Sequence, residues 1–307
     1  MNLLKQVQDL SKKLSGKIYY EYDMKNLNWF NLGGKAKIFF KPNTLEELIF
    51  FLKKFSSSLP IKVLGVGSNT LIRDGGYKGV IIKLGRNFSH LSKLDDNTII
   101  SGTPVLDKQL SNFALENSIG GFEFFSCIPG SIGGAIKMNS GCYNYDISKC
   151  IVSIQTIDRT GIVRSIKAEK IHFFYRGSDL SDDLIFLSAT LRGEKKERKK
   201  IEKKIEKFSE EKNKSQPSRI KTCGSTFKNP ITQTQKKAWE LIKESQCENM
   251  KIGGASISEK HSNFFVNQGS ATSNDMEELI NYVREKVFST TGIKLALELQ
   301  IIGEKNE

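Results

Sequence analysis

The sequence predicts an α+β protein whose two mixed regions are joined by a charged helix. Up to about residue 193, short apolar runs that end in glycine alternate with segments of helical periodicity, as in mixed sheets covered by helices. Residues 194–214 then interleave lysine with glutamate, and their few apolar side chains are spaced for one helix face: Ile201, Ile205 and Phe208. A smaller α+β pattern follows.

Local signals justify the elements of the first region in order. A capping box at Thr44 begins a helix, and residues 107–117 have the periodicity of a second one. The runs "IKVLGVGSN", "GVIIKL", "NTIISG" and "DDLIFLSATL" are predicted strands. "IVSIQTIDRTGIVRSI" alternates between apolar and polar residues and turns at Asp158–Gly161, which predicts a hairpin.

In the second region the pattern predicts two helices and two strands. The helices cover 235–245 and 274–289, and Gly292 stands just past the end of the second one. The strands lie around Asn263–Val266 and at 294–302. Together these elements are enough for a small α+β domain.

The composition is that of a globular protein. Of the 307 residues, 38% are apolar and 26% are charged, and no apolar run is long enough to cross a bilayer. The N-terminus lacks the apolar core of a signal peptide and instead predicts an amphipathic helix with one apolar side, formed by Leu3, Leu4, Val7, Leu10 and Leu14. We therefore expect a cytoplasmic protein without membrane insertion.

The net charge of +13 raises the question of a nucleic-acid partner. Much of the excess falls in the predicted helix at 194–214, and no nucleic-acid-binding motif is present, so we expect no such partner. The five cysteines are an odd number without a CxxC pair, and the three histidines lie far apart in sequence. Neither a disulfide framework nor a metal site is expected.

The first glycine loop, residues 65–76 ("GVGSNTLIRDGG"), follows a predicted strand. Thr70 stands where the dinucleotide fingerprint G-x-G-x-x-G needs glycine, so that fingerprint fails. What remains is a turn that can form a nest of donors for a pyrophosphate, from Gly65, Gly67, Ser68 and Asn69. Taken alone, the loop is more simply explained as an ordinary tight turn.

The second glycine loop, residues 128–144 ("IPGSIGGAIKMNSGCYN"), carries few bulky side chains. Its small residues let another group approach the backbone closely: Gly130, Ser131, Gly133, Gly134, Ala135, Ser140 and Gly141. Two such loops in one region favour a large phosphorylated cofactor, which their spacing does not identify.

Seven blocks along the chain are informative together: "WFNLGGKA" (29–36), "VLGVGSNTLIRDGGYKGVII" (63–82), "GFEFFSCIPGSIGGAIKMNSGCY" (121–143), "FFYRGSDL" (173–180), "QPSRIKTCGSTFKNP" (216–230), "KIGGASISEKHSNFFVNQGSATSND" (251–275) and "LALELQIIG" (295–303). In sequence and in order they resemble the UDP-N-acetylenolpyruvoylglucosamine reductase family, in its shorter subtype. Each block is weak alone, but together they extend over most of the chain.

The resemblance implies a vanillyl-alcohol-oxidase-type FAD-binding fold of two α+β subdomains, followed by a C-terminal α+β substrate-binding domain. The expected FAD-binding subdomains are residues 1–84 and 85–195, and the expected substrate-binding domain with its helical linker is 196–307. The last strand, 294–303, is a candidate to return to the first subdomain.

The resemblance also implies FAD and NADPH as cofactors and a UDP-sugar substrate. The reaction would convert UDP-N-acetylglucosamine enolpyruvate to UDP-N-acetylmuramate in peptidoglycan precursor synthesis. The implied FAD-binding residues are Gly65, Gly67, Ser68, Asn69, Pro129, Gly130, Ser131, Gly133, Gly134, Asn139 and Gly141. The implied substrate-binding residues are Tyr175, Arg176, Lys228 and Asn229.

Three polar residues are expected to carry the chemistry. Arg176 is suited to bind the substrate carboxylate bidentately while negative charge builds up beside it. In the family, the residues that match Ser225 and Glu298 deliver the proton and assist its delivery. A serine hydroxyl is a weak acid, so Ser225 can donate only to a strong base such as an enolate, with Lys228 supplying positive charge. Without the resemblance the alternatives are an ion pair for Arg176, an edge position for Glu298 and a turn for Ser225.

Two other functions compete with this interpretation. A flavoprotein of the same fold that oxidises a small alcohol would need none of Ser225, Lys228 and Glu298. A basic protein that binds nucleic acid or a membrane surface would rest on the net charge alone. We favour the reductase and expect it to be a monomer.

Overall fold

The computed structural model describes residues 7–10, 13–55, 58–218 and 220–306. The described chain forms two compact units. The first unit comprises residues up to 20, 38–65 and 79–211, and the second comprises 21–37, 66–78 and 212 to the end. These units group residues by proximity and not by the ligand they bind, so the division after residues 84 and 195 stays a prediction.

Helices occur in both units. The N-terminal segment is helical at residues 7–10, where Val7 and Leu10 are buried as predicted, whereas Leu3 and Leu4 lie outside the described residues. The other α-helices are α1 (Leu45–Phe55), α2 (Asp107–Glu116), α3 (Ile132–Met138), α4 (Arg198–Ser215), α5 (Ala238–Glu244) and α6 (Ser273–Thr291). No described helix combines the length and apolarity that crossing a membrane requires.

The strands are short, and most of them pair antiparallel. They are β1 (Lys17–Asp23), β2 (Lys35–Lys41), β3 (Ile61–Val63), β4 (Thr70–Ile72), β5 (Tyr77–Ile82), β6 (Leu91–Lys93), β7 (Thr98–Gly102), β8 (Ile119–Gly120), β9 (Gly141–Cys142), β10 (Tyr145–Asp146), β11 (Ile151–Ile157), β12 (Val163–Lys167), β13 (Phe173–Phe174), β14 (Gly177–Ser178), β15 (Ile185–Arg192), β16 (Glu194–Lys195), β17 (Lys251–Ile252), β18 (Ala255–Ser258), β19 (His261–Asn267) and β20 (Gln300–Ile302).

The first unit is built on a five-stranded antiparallel sheet in the order β12-β11-β15-β7-β6. The predicted hairpin is confirmed, because β11 and β12 pair across a turn in which the Gly161 N–H donates to the Asp158 carbonyl at 3.0 Å. The capping box is confirmed as well. The Glu47 N–H donates to Thr44 Oγ1 at 3.3 Å, and the Thr44 N–H donates to Glu47 Oε2 at 3.4 Å.

The charged helix is confirmed as α4, with Ile201 and Phe208 buried on its apolar side. It begins later than predicted, because Glu194 and Lys195 form β16 and pair antiparallel with β8. Residues 194 and 195 are extended and not helical because they pair with the backbone of β8, which is far away in sequence. Periodicity along 194–214 carries no sign of it.

The second unit contains the antiparallel sheet β17-β18-β19 and the parallel pair β4 and β20. Its core includes Phe227, Phe265, Met276, Leu279 and Leu299. Helix α6 ends before Gly292, which adopts a φ of 73° as the predicted stop signal requires. The predicted strand at 294–302 is wrong in extent, since only β20 is a strand, and Leu297 forms an isolated bridge with Phe227.

Candidate functional site

Residues 223–230 ("CGSTFKNP"), here called the Ser225 segment, run between two other parts of the second unit. Gly224 has a φ of 78°, a conformation that favours glycine, and the half-buried Ser225 follows it. Ser225 pairs with Phe264 of β19 on one side of the segment. On the other side Phe227 pairs with Leu297. The segment is therefore an irregular strand held at both edges.

Glu298 is brought to the Ser225 segment by its backbone. Its N–H donates to the Thr226 carbonyl at 2.9 Å, and its own carbonyl accepts the Asn69 side-chain amide at 2.9 Å. Thr226 therefore links the two residues: Ser225 precedes it in the chain, and Glu298 is hydrogen-bonded to its carbonyl. Asn69, predicted as a cofactor contact, also ties the first glycine loop to the residues just before β20.

Lys228 and Asn229 are the predicted substrate-binding residues of the second unit. The Lys228 N–H donates to the Ala296 carbonyl at 2.8 Å, which fixes its backbone beside Glu298. Asn229 Oδ1 accepts the Ala238 N–H at 3.0 Å, at the start of α5. Asn229 therefore has a structural contact within this unit, and its contact with substrate stays a prediction.

Gly67 of the first glycine loop is required by the packing of the chain. It has a φ of 70°, and a Cβ at this position would lie 2.1 Å from the Leu27 carbonyl oxygen. Later in the loop, Arg73 donates from Nε and Nη2 to the two carboxylate oxygens of Glu277 at 2.7 and 2.9 Å. This hydrogen bonding raises the Arg73 pKa and fixes the loop against α6.

The second glycine loop lies in the first unit and leaves its backbone bare around one hydroxyl group. A Cβ added at Gly65 would meet only Ser131 Oγ, at 2.9 Å. A Cβ added at the exposed Gly134 would have no neighbour nearer than the same oxygen, at 3.8 Å. The start of the first glycine loop and the second glycine loop thus face each other across Ser131. The Gly133 N–H anchors the second loop by donating to the Thr103 carbonyl at 2.9 Å.

Tyr175 and Arg176 form the turn of the β13–β14 hairpin in the same unit. Arg176 has a φ of 57°, and its Nη2 donates to the Gly141 carbonyl at 2.8 Å. Its guanidinium carbon lies 5.1 Å from the centre of the Tyr175 ring. The Asn139 amide donates to the Phe174 carbonyl at 3.0 Å, so the predicted cofactor residues Asn139 and Gly141 hold this hairpin.

Asp107 was not selected from the sequence, although it lies against the second glycine loop. Its side chain is fully buried, and neither carboxylate oxygen has a hydrogen-bond partner among the described residues. Burial raises the pKa of this carboxyl well above its usual range. The nearby Gly130 peptide lowers the pKa by a smaller amount, without full hydrogen-bond geometry. A single aspartate after an apolar pair carries no spacing signal that could have identified it.

Comparisons with known proteins identify relatives of the whole chain and of two regions within it. The profile of an FAD-binding domain matches residues 36–167, and that of the UDP-N-acetylenolpyruvoylglucosamine reductase C-terminal domain matches residues 216–302. The UDP-N-acetylenolpyruvoylglucosamine reductase of Pelagibacter ubique is 50% identical over 97% of this chain and 99% of its own length. That of Rickettsia akari is 42% identical over 95% of this chain and 97% of its own.

A solved structure has the same fold over nearly the whole chain. The UDP-N-acetylenolpyruvylglucosamine reductase of Thermus caldophilus is 28% identical, with a TM-score of 0.79, and the match covers 94% of this chain and 99% of that one. The predicted α+β fold, an FAD-binding region followed by a C-terminal domain, is thereby confirmed. The FAD-binding match includes the second glycine loop, and the C-terminal match includes the Ser225 segment and Glu298.

Proposed function

This chain belongs to the UDP-N-acetylenolpyruvoylglucosamine reductase family, and from that premise we propose how its own residues carry the reaction. It is an FAD-binding oxidoreductase that uses NADPH in peptidoglycan precursor synthesis. The name shared by its relatives favours this function over the oxidase of a small alcohol and over a basic surface binder. We place the enzyme in the cytoplasm and expect a monomer whose partner is the UDP-sugar substrate.

The residues around Ser131 fit a bound FAD. A diphosphate can approach bare backbone closely, and the glycine backbone at Gly65 and Gly134 faces one serine hydroxyl. We propose that FAD is held by Gly65, Gly67, Ser68, Asn69, Pro129, Gly130, Ser131, Gly133, Gly134, Asn139 and Gly141. Bound FAD supplies the transfer of hydride from NADPH to the double bond of the substrate.

Arg176 binds the carboxylate of the enolpyruvyl group in this proposal. Its left-handed backbone and its hydrogen bond to the Gly141 carbonyl hold the guanidinium in one orientation. A fixed guanidinium stabilises negative charge as it builds up on the carboxylate side of the double bond. Tyr175, Lys228 and Asn229 bind other parts of the UDP-sugar.

Ser225 delivers the proton that completes the reduction. One hydride and one proton saturate the double bond, and the proton goes to the carbon beside the carboxylate. It leaves Ser225 Oγ, and Lys228 stabilises the resulting alkoxide until water reprotonates it. Glu298 assists this delivery. The observation that carries the assignment is the Glu298 N–H donating to the Thr226 carbonyl at 2.9 Å, which holds the acid beside the residue that follows Ser225.

The Ser225→Ala variant tests the assignment when the two half-reactions are measured separately. NADPH added without oxygen bleaches the flavin absorbance, and the enolpyruvyl UDP-sugar then restores it. Loss of the proton donor should slow the recovery about 10²–10⁴-fold and leave the bleaching rate within about twofold of the wild type. Ser225→Cys, which keeps an acidic group, should recover faster than Ser225→Ala.

Thr222→Val is the matched control for this experiment. It removes a buried hydroxyl three residues away, and that hydroxyl has no hydrogen-bond partner among the described residues. Neither half-reaction should change. If Ser225→Ala recovers at the wild-type rate, or loses both half-reactions equally, Ser225 is not the proton donor.

A further inference from the structure

Asn263 in β19 makes an unusual set of hydrogen bonds to the Ser225 segment. The residue is 3% exposed. Its side-chain Nδ2 donates to the Phe227 carbonyl at 2.9 Å, and its Oδ1 accepts the Phe227 N–H at 3.0 Å. Its backbone carbonyl accepts the Thr226 N–H at 2.8 Å. Three hydrogen bonds from one residue therefore fix the two residues that follow Ser225.

The opposite edge of the segment is held by residues 296–298, which precede β20. The Thr226 carbonyl accepts the Glu298 N–H at 2.9 Å, and the Lys228 N–H donates to the Ala296 carbonyl at 2.8 Å. Thr226 is thus bonded to Asn263 through its N–H and to Glu298 through its carbonyl. A shift of the Thr226 backbone would change the position of Ser225 relative to Glu298.

An asparagine suits this place because its amide can donate and accept at once. It serves both backbone groups of Phe227, as a neighbouring strand would, where β19 and the Ser225 segment form only the isolated bridge between Phe264 and Ser225. The Asn263 N–H in turn donates to His261 Nδ1 at 3.2 Å. Burial lowers the His261 pKa, which favours the neutral ring that can accept this bond.

We propose that Asn263 is a positioning residue for the protonation step. Its amide holds the Thr226–Phe227 backbone in the register that places the Ser225 hydroxyl and the Glu298 carboxyl for proton delivery. The inference rests on the proposed function of Ser225 and Glu298 and adds to it the residue that aligns them. Asn263 acts through the backbone and touches none of the reacting atoms in this proposal.

The test uses the FAD-loaded enzyme and the same two half-reactions. Asn263→Leu removes both amide contacts with little change in size. It should slow the substrate-driven recovery of flavin absorbance about 10–100-fold, because small misplacements of reacting groups are costly, and leave bleaching by NADPH within about twofold. Asn263→Asp keeps an acceptor for the Phe227 N–H and loses the donor. It should show the same selective slowing, to a smaller degree.

Ser262→Ala is the matched control from the same strand. Its hydroxyl is also buried, but it donates to the Trp239 carbonyl at 2.7 Å and has no described contact with the Ser225 segment. Both half-reactions should stay at the wild-type rate. If both Asn263 variants slow bleaching and recovery equally, or if neither slows recovery, the proposed positioning role is wrong.

A double-mutant cycle separates positioning from a general structural effect. If Asn263 acts through Ser225, the double variant of Ser225→Ala and Asn263→Leu should recover no more slowly than Ser225→Ala alone. Multiplied effects would overturn the inference. The proposed function fails if Ser225→Ala itself recovers normally. If Ser225→Ala is slow and the Asn263 variants are not, only the inference about Asn263 fails.

Discussion

The Ser225 segment and the second glycine loop lie in different compact units and hold their functional groups by opposite means. The backbone after Ser225 is fixed by hydrogen bonds with Asn263 and with residues 296–298, which precede β20. In the glycine loop, the absence of side chains is what matters. A Cβ would lie 2.0 Å from the Tyr145 carbonyl if added at Gly141, and 2.5 Å from Asp107 Oδ2 if added at Gly130.

This difference predicts opposite sensitivities to substitution. Substitutions that remove hydrogen-bonding groups should displace the Ser225 segment, whereas substitutions that add a side chain should disturb the second glycine loop. The glycines also fall into two groups. Gly130 and Gly141 have no room for a side chain, while Gly134 faces open space and is free of such crowding within its own unit. We therefore expect a side chain at Gly130 or Gly141 to disturb folding, and a side chain at Gly134 to disturb only the proposed approach of FAD.

The largest effect is expected from Gly141→Ala. The added methyl group would overlap the Tyr145 carbonyl across the tight β9–β10 pair, so the backbone must move. Overpacking of this kind should lower the free energy of unfolding by about 3 kcal/mol. It should also weaken substrate binding, because the Gly141 carbonyl holds Arg176. Urea unfolding and the KM for the UDP-sugar measure the two consequences.

Gly85→Ala is the control for this prediction, since a Cβ at Gly85 would have no neighbour within 4 Å. Its unfolding midpoint should match that of the wild type. If Gly141→Ala unfolds at the wild-type urea concentration, crowding does not explain the glycine at that position. The proposed contrast between the glycine loop and the Ser225 segment would then be wrong for this glycine.

Asp107→Asn should stabilise the protein at neutral pH, because the amide cannot ionise, and each unit by which burial raises the folded-state pKa of the carboxyl costs about 1.4 kcal/mol at a pH above that value. Burial raises the pKa of this carboxyl in the folded state. The wild type therefore loses stability as the pH rises from the unfolded pKa, near 4, towards the folded value, and the loss persists above it. The variant lacks this ionisation.

Urea unfolding of both proteins across this pH range checks the sign. The two stabilities should be similar below about pH 3, where the wild-type carboxyl is protonated in both states, and should separate as the pH rises. If Asp107→Asn is instead less stable than the wild type at neutral pH, the ionised carboxylate has a stabilising partner and the sign is reversed.

Gly134→Ala separates ligand approach from folding. An alanine should not destabilise the flavin-free protein, because its methyl group meets no atom closer than 3.8 Å and Gly134 lies inside helix α3. The same methyl group would occupy the space that bound FAD approaches, so FAD affinity should fall about tenfold or more, which corresponds to about 1.4 kcal/mol. Titration of flavin-free protein with FAD measures the affinity, and unchanged affinity would contradict the placement of FAD at this loop.

Local signals in the sequence predict the elements that local interactions decide. The capping box at Thr44, the hairpin at Asp158–Gly161 and the stop at Gly292 all have their partners within a few residues, and all three are confirmed. The strand at 294–302 is shorter than predicted because its earlier residues meet the Ser225 segment only at the isolated bridge between Leu297 and Phe227, and not in a continuous ladder. The pattern of apolar and polar residues along 294–302 cannot predict how these residues pair with a distant segment.

The same limit applies to the site. Arg176, Ser225 and Glu298 stand in blocks that resemble a known family, so the sequence alone could select them. Asn263 also stands in such a block, whereas Asp107 does not. The sequence could assign a role to neither of them, because their tertiary contacts are what distinguish them. The role proposed for Asn263 can be inferred only when its hydrogen bonds to the N–H and carbonyl of Phe227 are known.

Cys223→Ala should have the smallest effect and gives the sharpest test of how the Ser225 segment is held. The buried thiol donates weakly to the Gly67 and Thr70 carbonyls, at 3.5 and 3.3 Å, and burial raises its pKa to about 12, so it stays protonated. Its loss should lower the free energy of unfolding by about 1 kcal/mol. Both half-reactions should keep their wild-type rates, because the hydrogen bonds from Asn263 and Glu298 remain. If Cys223→Ala slows the substrate-driven recovery as much as Asn263→Leu does, packing and not hydrogen bonding positions Ser225, and the contrast between the two regions no longer holds.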